Sequence, residues 1–146
     1  MTNEVFIVSG ARTPIGSFMG NLSSFSAPEL AAAAIQKTLD TSLVAADQID
    51  EVLIGNVVSA GLKQAPARQA MRLAGIPDGC GATTINKVCG SGMKATMLAF
   101  DLIRCGSAET VLSGGMESMS NAPYFLGNAR SGLRMGHSGT LDSLFT

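Results

Sequence analysis

Thr83-Thr84-Ile85-Asn86-Lys87-Val88-Cys89-Gly90-Ser91-Gly92-Met93-Lys94-Ala95 is where one backbone pattern gives way to another. The β-branched run up to Val88 suits a strand from Ala82 to Val88. From Met93 an apolar pattern at helical spacing continues to about Cys105, and Gly106 supplies a stop. A thiol therefore sits at a sharp strand-to-helix turn. Glycines on both sides of Ser91 permit a tight turn and close approach of another group to the backbone. The free N–H groups and positive dipole end of a helix start favour a thiolate there. The predicted helix carries Met93, Met97, Leu98, Leu102 and Ile103 among small Ala95, Thr96 and Ala99, which predicts burial on most sides. A buried helix is a rigid mount for a reactive residue.

Outward from this stretch, strand and helix patterns alternate. Glu4-Val5-Phe6-Ile7-Val8 reads as a buried strand, followed by a turn-rich loop from Ser9 to Gly16. In that loop Arg12 can hold an anion; an Arg there more often ties loop carbonyls or an internal carboxylate together. Residues 17–25 read as irregular. Ser26 and Glu29 have the spacing of a capping box, and Pro28 is tolerated in a first turn. The helix they open should bury Leu30, Ala34, Ile35, Thr38 and Leu39. Glu51 to Val58 reads as a strand in which Gly55 marks a bulge or close contact. Pro66 and Gly75 bracket a short helix with Arg68 and Arg72 one turn apart; they can face a cofactor, but are read as a solvated face or an interface salt bridge. Glu109 to Ser113 is the fourth strand, ending in Gly114-Gly115. The alternation predicts an α/β layered domain with a largely parallel sheet. Beyond Met116 the pattern fades into a Gly- and Ser-containing tail, which contains the lone His137, read as a surface residue.

Composition narrows the function. The net charge is -1, which gives no argument for nucleic acid or an anionic membrane surface. No apolar run approaches the ~20 residues that span a bilayer. Charged residues are 14%, below the roughly 25% of an average domain, so much of the surface is expected to be covered by other protein. Cys80, Cys89 and Cys105 have no zinc-like spacing, and their odd number argues against a disulfide framework. Cys80 and Cys105 are read as small buried hydrophobes. Residues 1–8 show neither a secretory nor a mitochondrial leader pattern, so the expected compartment is the cytoplasm. Gly90-x-Gly92-x-x-Ala95 imitates a dinucleotide fingerprint, but Glu109 stands at the start of the next strand instead of its end, and nicotinamide binding is rejected.

Asn86-Lys87-Val88-Cys89-Gly90-Ser91-Gly92-Met93-Lys94-Ala95 resembles the nucleophilic-cysteine motif of the thiolases, of the acetyl-CoA acetyltransferase type. Val8-Ser9-Gly10-Ala11-Arg12-Thr13-Pro14-Ile15-Gly16, Gly55-Asn56-Val57, Pro66-Ala67-Arg68-Gln69 and Gly114-Gly115-Met116-Glu117-Ser118-Met119-Ser120 also resemble thiolase segments, in the family's order. The ketoacyl synthases are a neighbouring alternative that these segments resemble less. The resemblance implies the N-terminal half of a thiolase fold, with a mixed sheet and helices on both faces. It implies a domain over 1–118 and the start of a loop domain over 119–146. It implies Cys89 as the nucleophile that becomes acylated, with its own backbone N–H as a candidate oxyanion donor. Acetyl-CoA, acetoacetyl-CoA and CoA would be substrates and products, with no tightly bound cofactor and no metal. A homo-oligomer, dimer or tetramer, is implied as well. Thiolases are more than twice this length, so the chain is expected to be incomplete. Their catalytic His and second catalytic Cys come from a C-terminal half outside it, which leaves an inactive piece as the competing reading.

Overall fold

The computed structural model describes residues 4–145. Its centre is a three-stranded parallel sheet built from β1 (Glu51–Gly55), β2 (Gly81–Ile85) and β3 (Val111–Gly115), in the order β2-β1-β3. The helices are α1 (Ala27–Ser42), α2 (Pro66–Leu73) and α3 (Ser91–Arg104). The chain steps from β1 through α2 to β2 on one side, then back across β1 through α3 to β3. Right-handed crossovers running in opposite directions place their helices on opposite faces of the sheet. Alternation along β1 serves both layers. Val52 and Ile54 pack against α1 and α2 with Met71, Ala67 and Ala70, while Leu53 packs against Ala95 and Ala99 of α3. Val52 and Met71 are fully buried, and each such side chain contributes about 1.5–3 kcal/mol. The α/β class, the parallel pairing and helices on both faces match the sequence reading.

Local signals also match. The Glu29 carboxylate accepts hydrogen bonds from both the backbone N–H and the hydroxyl of Ser26, each 2.7 Å, at the start of α1. Gly75 and Gly106 take left-handed φ values of 87° and 77° just past the ends of α2 and α3. Arg68 and Arg72 both reach Asp78, at 3.5 and 2.9 Å, in partly exposed ion pairs within the chain.

Four expectations are corrected. Glu4 to Val8 forms no strand, and Phe6, Ile7 and Val8 are exposed. The run has strand propensity but no pairing partner, so among the described residues the central sheet has three strands, all parallel. The buried face of α1 is Ala27, Pro28, Ala31, Ala32 and Ile35, with Leu30, Ala34 and Thr38 only partly covered. Small residues won because α1 lies close against α2, where a leucine stripe would hold the helices apart. Likewise α3 is buried on one face only, through Ser91, Ala95 and Ala99, while Met93, Met97 and Phe100 are exposed. It also starts two residues before Met93. Finally, the tail is not wholly irregular: β4 (Tyr124–Phe125) and β5 (Leu141–Asp142) form a small antiparallel pair.

Candidate active site

The carboxyl ends of all three strands converge on one end of the sheet, where ligand sites of open α/β sheets form. Three chain segments leave there: Gly55-Asn56-Val57 from β1, Asn86 to Gly90 from β2, and Met116-Glu117 from β3. The turn from β2 into α3 carries Cys89, which is exposed. It lies on the wall of a cleft of about 870 Å³, lined also by residues 11–18, Gly115, Glu117 and Ser118. Residues 17–25 close one flank. The Met19 N–H donates to Ser120 Oγ at 2.9 Å, and Asn121 Nδ2 donates to the carbonyls of Ser23 and Phe25, each at 2.9 Å.

The elbow around Cys89 is tightly specified. Val88 has φ 47°, in the left-handed region that a β-branched residue avoids. Such strain costs about 1–3 kcal/mol and persists where the surroundings over-determine it. Here they do. The Val88 N–H donates to Asn86 Oδ1 at 3.0 Å, and the Val88 carbonyl accepts from the Ser91 N–H at 3.1 Å and from the Ser91 hydroxyl at 2.6 Å. Ser91 Oγ in turn accepts the Lys87 N–H at 2.8 Å. Ser91 is 4% exposed.

Glycine lets α3 come this close to the sheet. A Cβ on Gly55 would stand 2.5 Å from the Gly92 nitrogen and from the Ser91 carbonyl carbon. The close contact read at Gly55 from sequence is thus a contact with the first turn of α3. It sets the depth at which Cys89 sits.

A second tie joins β1 to β3. The Glu117 carboxylate accepts hydrogen bonds from Asn56 Nδ2 at 2.7 Å and from the Val57 and Val58 N–H groups at 3.0 and 2.9 Å. Asn56 is 1% exposed, and its Oδ1 is buried with no partner among the described residues. Ser91, Asn56 and Glu117 were not singled out in the sequence reading. Each acts across 30 or more residues or through a turn, where periodicity carries no signal; only the quoted family segments contain them.

The remaining expectations sort as follows. Cys80 is buried, as read, and burial first, then the Glu51 and Asp50 carboxylates, push its thiol above the usual range. Cys105 is corrected: it is exposed, because the chain turns away from the sheet at the end of α3. The hydroxyl and N–H of Ser107 hold its thiol below the usual range. Arg12 is exposed on the cleft wall and ties no carbonyl or carboxylate among the described residues, because its loop lies open. His137 is exposed and does not line the cleft. Among the described residues no group of acidic, His and Cys side chains has the arrangement to hold a metal ion, and no helix is long and apolar enough to cross a membrane.

The sequence model of the family described as "Thiolase, N-terminal domain" matches residues 5–146. An acetyl-CoA acetyltransferase of Pseudomonas aeruginosa is 52% identical over 141 residues, which is 97% of this chain and 36% of that protein. An acetyl-CoA acetyltransferase of Saccharomyces cerevisiae is 49% identical over 146 residues, covering 99% of this chain and 37% of that protein. Acetyl-CoA acetyltransferase 2 of Arabidopsis thaliana is 50% identical over 141 residues, covering 97% of this chain and 35% of that protein. The chain thus spans about a third of the length of the curated relatives it matches. A parallel α/β layer with a cysteine elbow at its carboxyl edge, matched by the family's N-terminal domain over nearly every residue, places this chain in the thiolase family.

Proposed function

We propose that this chain is the nucleophile-bearing part of an acetyl-CoA acetyltransferase, with Cys89 as the residue that becomes acetylated. The observation that carries the reading is the exposed Cys89 on a rigid elbow in the cleft, in a chain about half identical to proteins named acetyl-CoA acetyltransferase. The Cys89 thiolate attacks the thioester carbonyl of acetyl-CoA, and the new S–C bond makes a tetrahedral oxyanion. Collapse breaks the bond to the CoA sulfur, which leaves as a thiolate and takes up a proton. A second acetyl-CoA gives up an α-proton to a base. Its enolate attacks the acetyl carbonyl, a C–C bond forms, and the Cys89 sulfur leaves. The product is acetoacetyl-CoA; thiolysis is the reverse. Splitting the condensation into two transfers is the gain of covalent catalysis. The Cys89 N–H, which no acceptor takes among the described residues, is the proposed oxyanion donor.

On this reading the base and second cysteine lie in sequence outside residues 1–146. Residues 1–118 are the N-terminal domain and 119–146 the start of a loop domain. CoA thioesters are substrates, no cofactor is tightly bound, and the working protein is a cytoplasmic homo-oligomer, a dimer or tetramer. A second reading, favoured by the span of about a third of the relatives' length, is that residues 1–146 alone accept an acetyl group or assemble without turnover. Intact mass and peptide mapping after brief exposure to acetyl-CoA tests both. Acetyl on Cys89, absent in Cys89→Ser, is expected in the natural-length protein. Acetylation elsewhere, or none, overturns the nucleophile assignment, and condensation by residues 1–146 alone defeats the second reading.

A further inference from the structure

We infer that Ser91 is a positioning residue whose buried hydroxyl aims the Cys89 backbone N–H into the cleft. The inference rests on Cys89 being the nucleophile. The peptide joining Val88 to Cys89 is planar, and none of the described peptide bonds is cis. Its carbonyl oxygen and its N–H therefore point in opposite directions. The Val88 carbonyl is turned into the start of α3, where it accepts both the Ser91 hydroxyl at 2.6 Å and the Ser91 N–H at 3.1 Å. The Cys89 N–H must then point away from the helix. Among the described residues it meets no acceptor. The same hydroxyl oxygen accepts the Lys87 N–H at 2.8 Å, so one side chain ties the 86–87 peptide to the 88–89 peptide. Together with the Val88 N–H on Asn86 Oδ1 at 3.0 Å, which fixes the 87–88 peptide between them, this tie holds Val88 at φ 47°. Ser91 is 4% exposed and its Cβ abuts Gly55, so the hydroxyl has no room to swing to another partner.

An alanine at position 91 leaves the Val88 carbonyl with one donor and the Lys87 N–H with none. The 88–89 peptide is then held by one hydrogen bond instead of two, and the oxyanion's donor is less firmly aimed. Losing an oxyanion donor outright costs about 100- to 1,000-fold, so a mis-aimed one should cost roughly 10- to 100-fold. Attack on a carbonyl needs that donor; alkylation by iodoacetamide, a displacement at saturated carbon, does not.

The test compares two rates at Cys89, followed by peptide mapping in the natural-length protein: acetylation by acetyl-CoA and alkylation by iodoacetamide. In Ser91→Ala the acetylation rate is expected to fall roughly 10- to 100-fold while alkylation changes less than about 3-fold. Ser91→Thr, which keeps the hydroxyl, is expected to retain the ratio of the two rates within about 3-fold of wild type. Equal loss of both rates in Ser91→Ala, or loss of neither, overturns the inference. Should Ser91→Ala fail to fold, a collapsed ratio in folded Ser91→Thr overturns it and a retained ratio supports it. Failure of the wild-type protein to acetylate Cys89 is a separate result, which defeats the nucleophile assignment itself.

Discussion

At Gly55 one methyl group decides how close α3 can lie to the sheet. A Cβ there meets backbone atoms of Ser91 and Gly92, which cannot rotate out of the way as a side chain end would. Gly55→Ala is therefore expected to destabilise the protein by about 1–3 kcal/mol, read from urea unfolding, and to slow labelling of Cys89. Gly79→Ala, where a Cβ meets nothing within 4 Å, should stay within about 0.5 kcal/mol of wild type. Equal effects at the two sites would show that the contact with α3 carries no weight. Glu117 is a similar case with polar atoms. Glu117→Ala strands the Val57 and Val58 N–H groups and removes one of the two acceptors of Asn56 Nδ2, and a loss of about 1–3 kcal/mol is expected. The cysteines should also separate by environment. Cys80 is buried with its thiol pushed up, so iodoacetamide should reach it only on unfolding, whereas exposed Cys105 labels in the native state. Labelling of Cys80 at the rate of Cys105 in folded protein would contradict this.

At the scale of elements, two carboxylates act on helix and strand ends and give stability a definite pH dependence. Glu29 is held below the usual carboxylate range first by the Ser26 hydroxyl and then by the Ser26 N–H, at the start of α1. Asp50 is lowered by the N–H of Thr110 and then that of Glu109, which it ties to the entry of β3 at 2.9 and 2.7 Å. A depressed folded value means that the unfolded chain binds the proton more readily. The contribution is therefore full above the ordinary carboxylate value of about 4 and is lost as pH falls through the lowered folded value. Glu29→Gln and Asp50→Asn should lower the thermal midpoint at pH 7 and leave it closer to wild type at pH 3. A gap that stays constant with pH would rule out the linkage. Much at this scale was legible beforehand. The capping box, the glycine stops of α2 and α3, and the cysteine at a strand-to-helix turn are written in a few adjacent residues. The buried faces of α1 and α3 were misread, since apolar periodicity favours large side chains and these interfaces chose alanine and serine.

Across the whole molecule, apolar surface is left open on two sides. Phe6, Ile7 and Val8 are exposed, as are Met93, Met97 and Phe100 on the outer face of α3. Exposed apolar side chains grouped on one segment give other protein a place to pack. Residues 1–146 should enhance the fluorescence of a hydrophobic dye and self-associate in sedimentation. A monomer without dye enhancement would show that these faces need no cover. The low charge content had already pointed this way, but composition could not say which faces. The sequence by itself determined the α/β alternation from α1 onward, the capping box of α1, the glycine stops of α2 and α3, the place of Cys89 at a turn into a helix, and the family, because propensity, capping and motif are short-range properties of the chain. Only the tertiary structure decided that Glu4–Val8 stands outside the sheet, that Gly55 admits the first turn of α3, and that Ser91 and Glu117 brace the elbow and strand ends. Those outcomes depend on which atoms meet after segments up to 61 residues apart are packed together, and no local pattern specifies such a meeting.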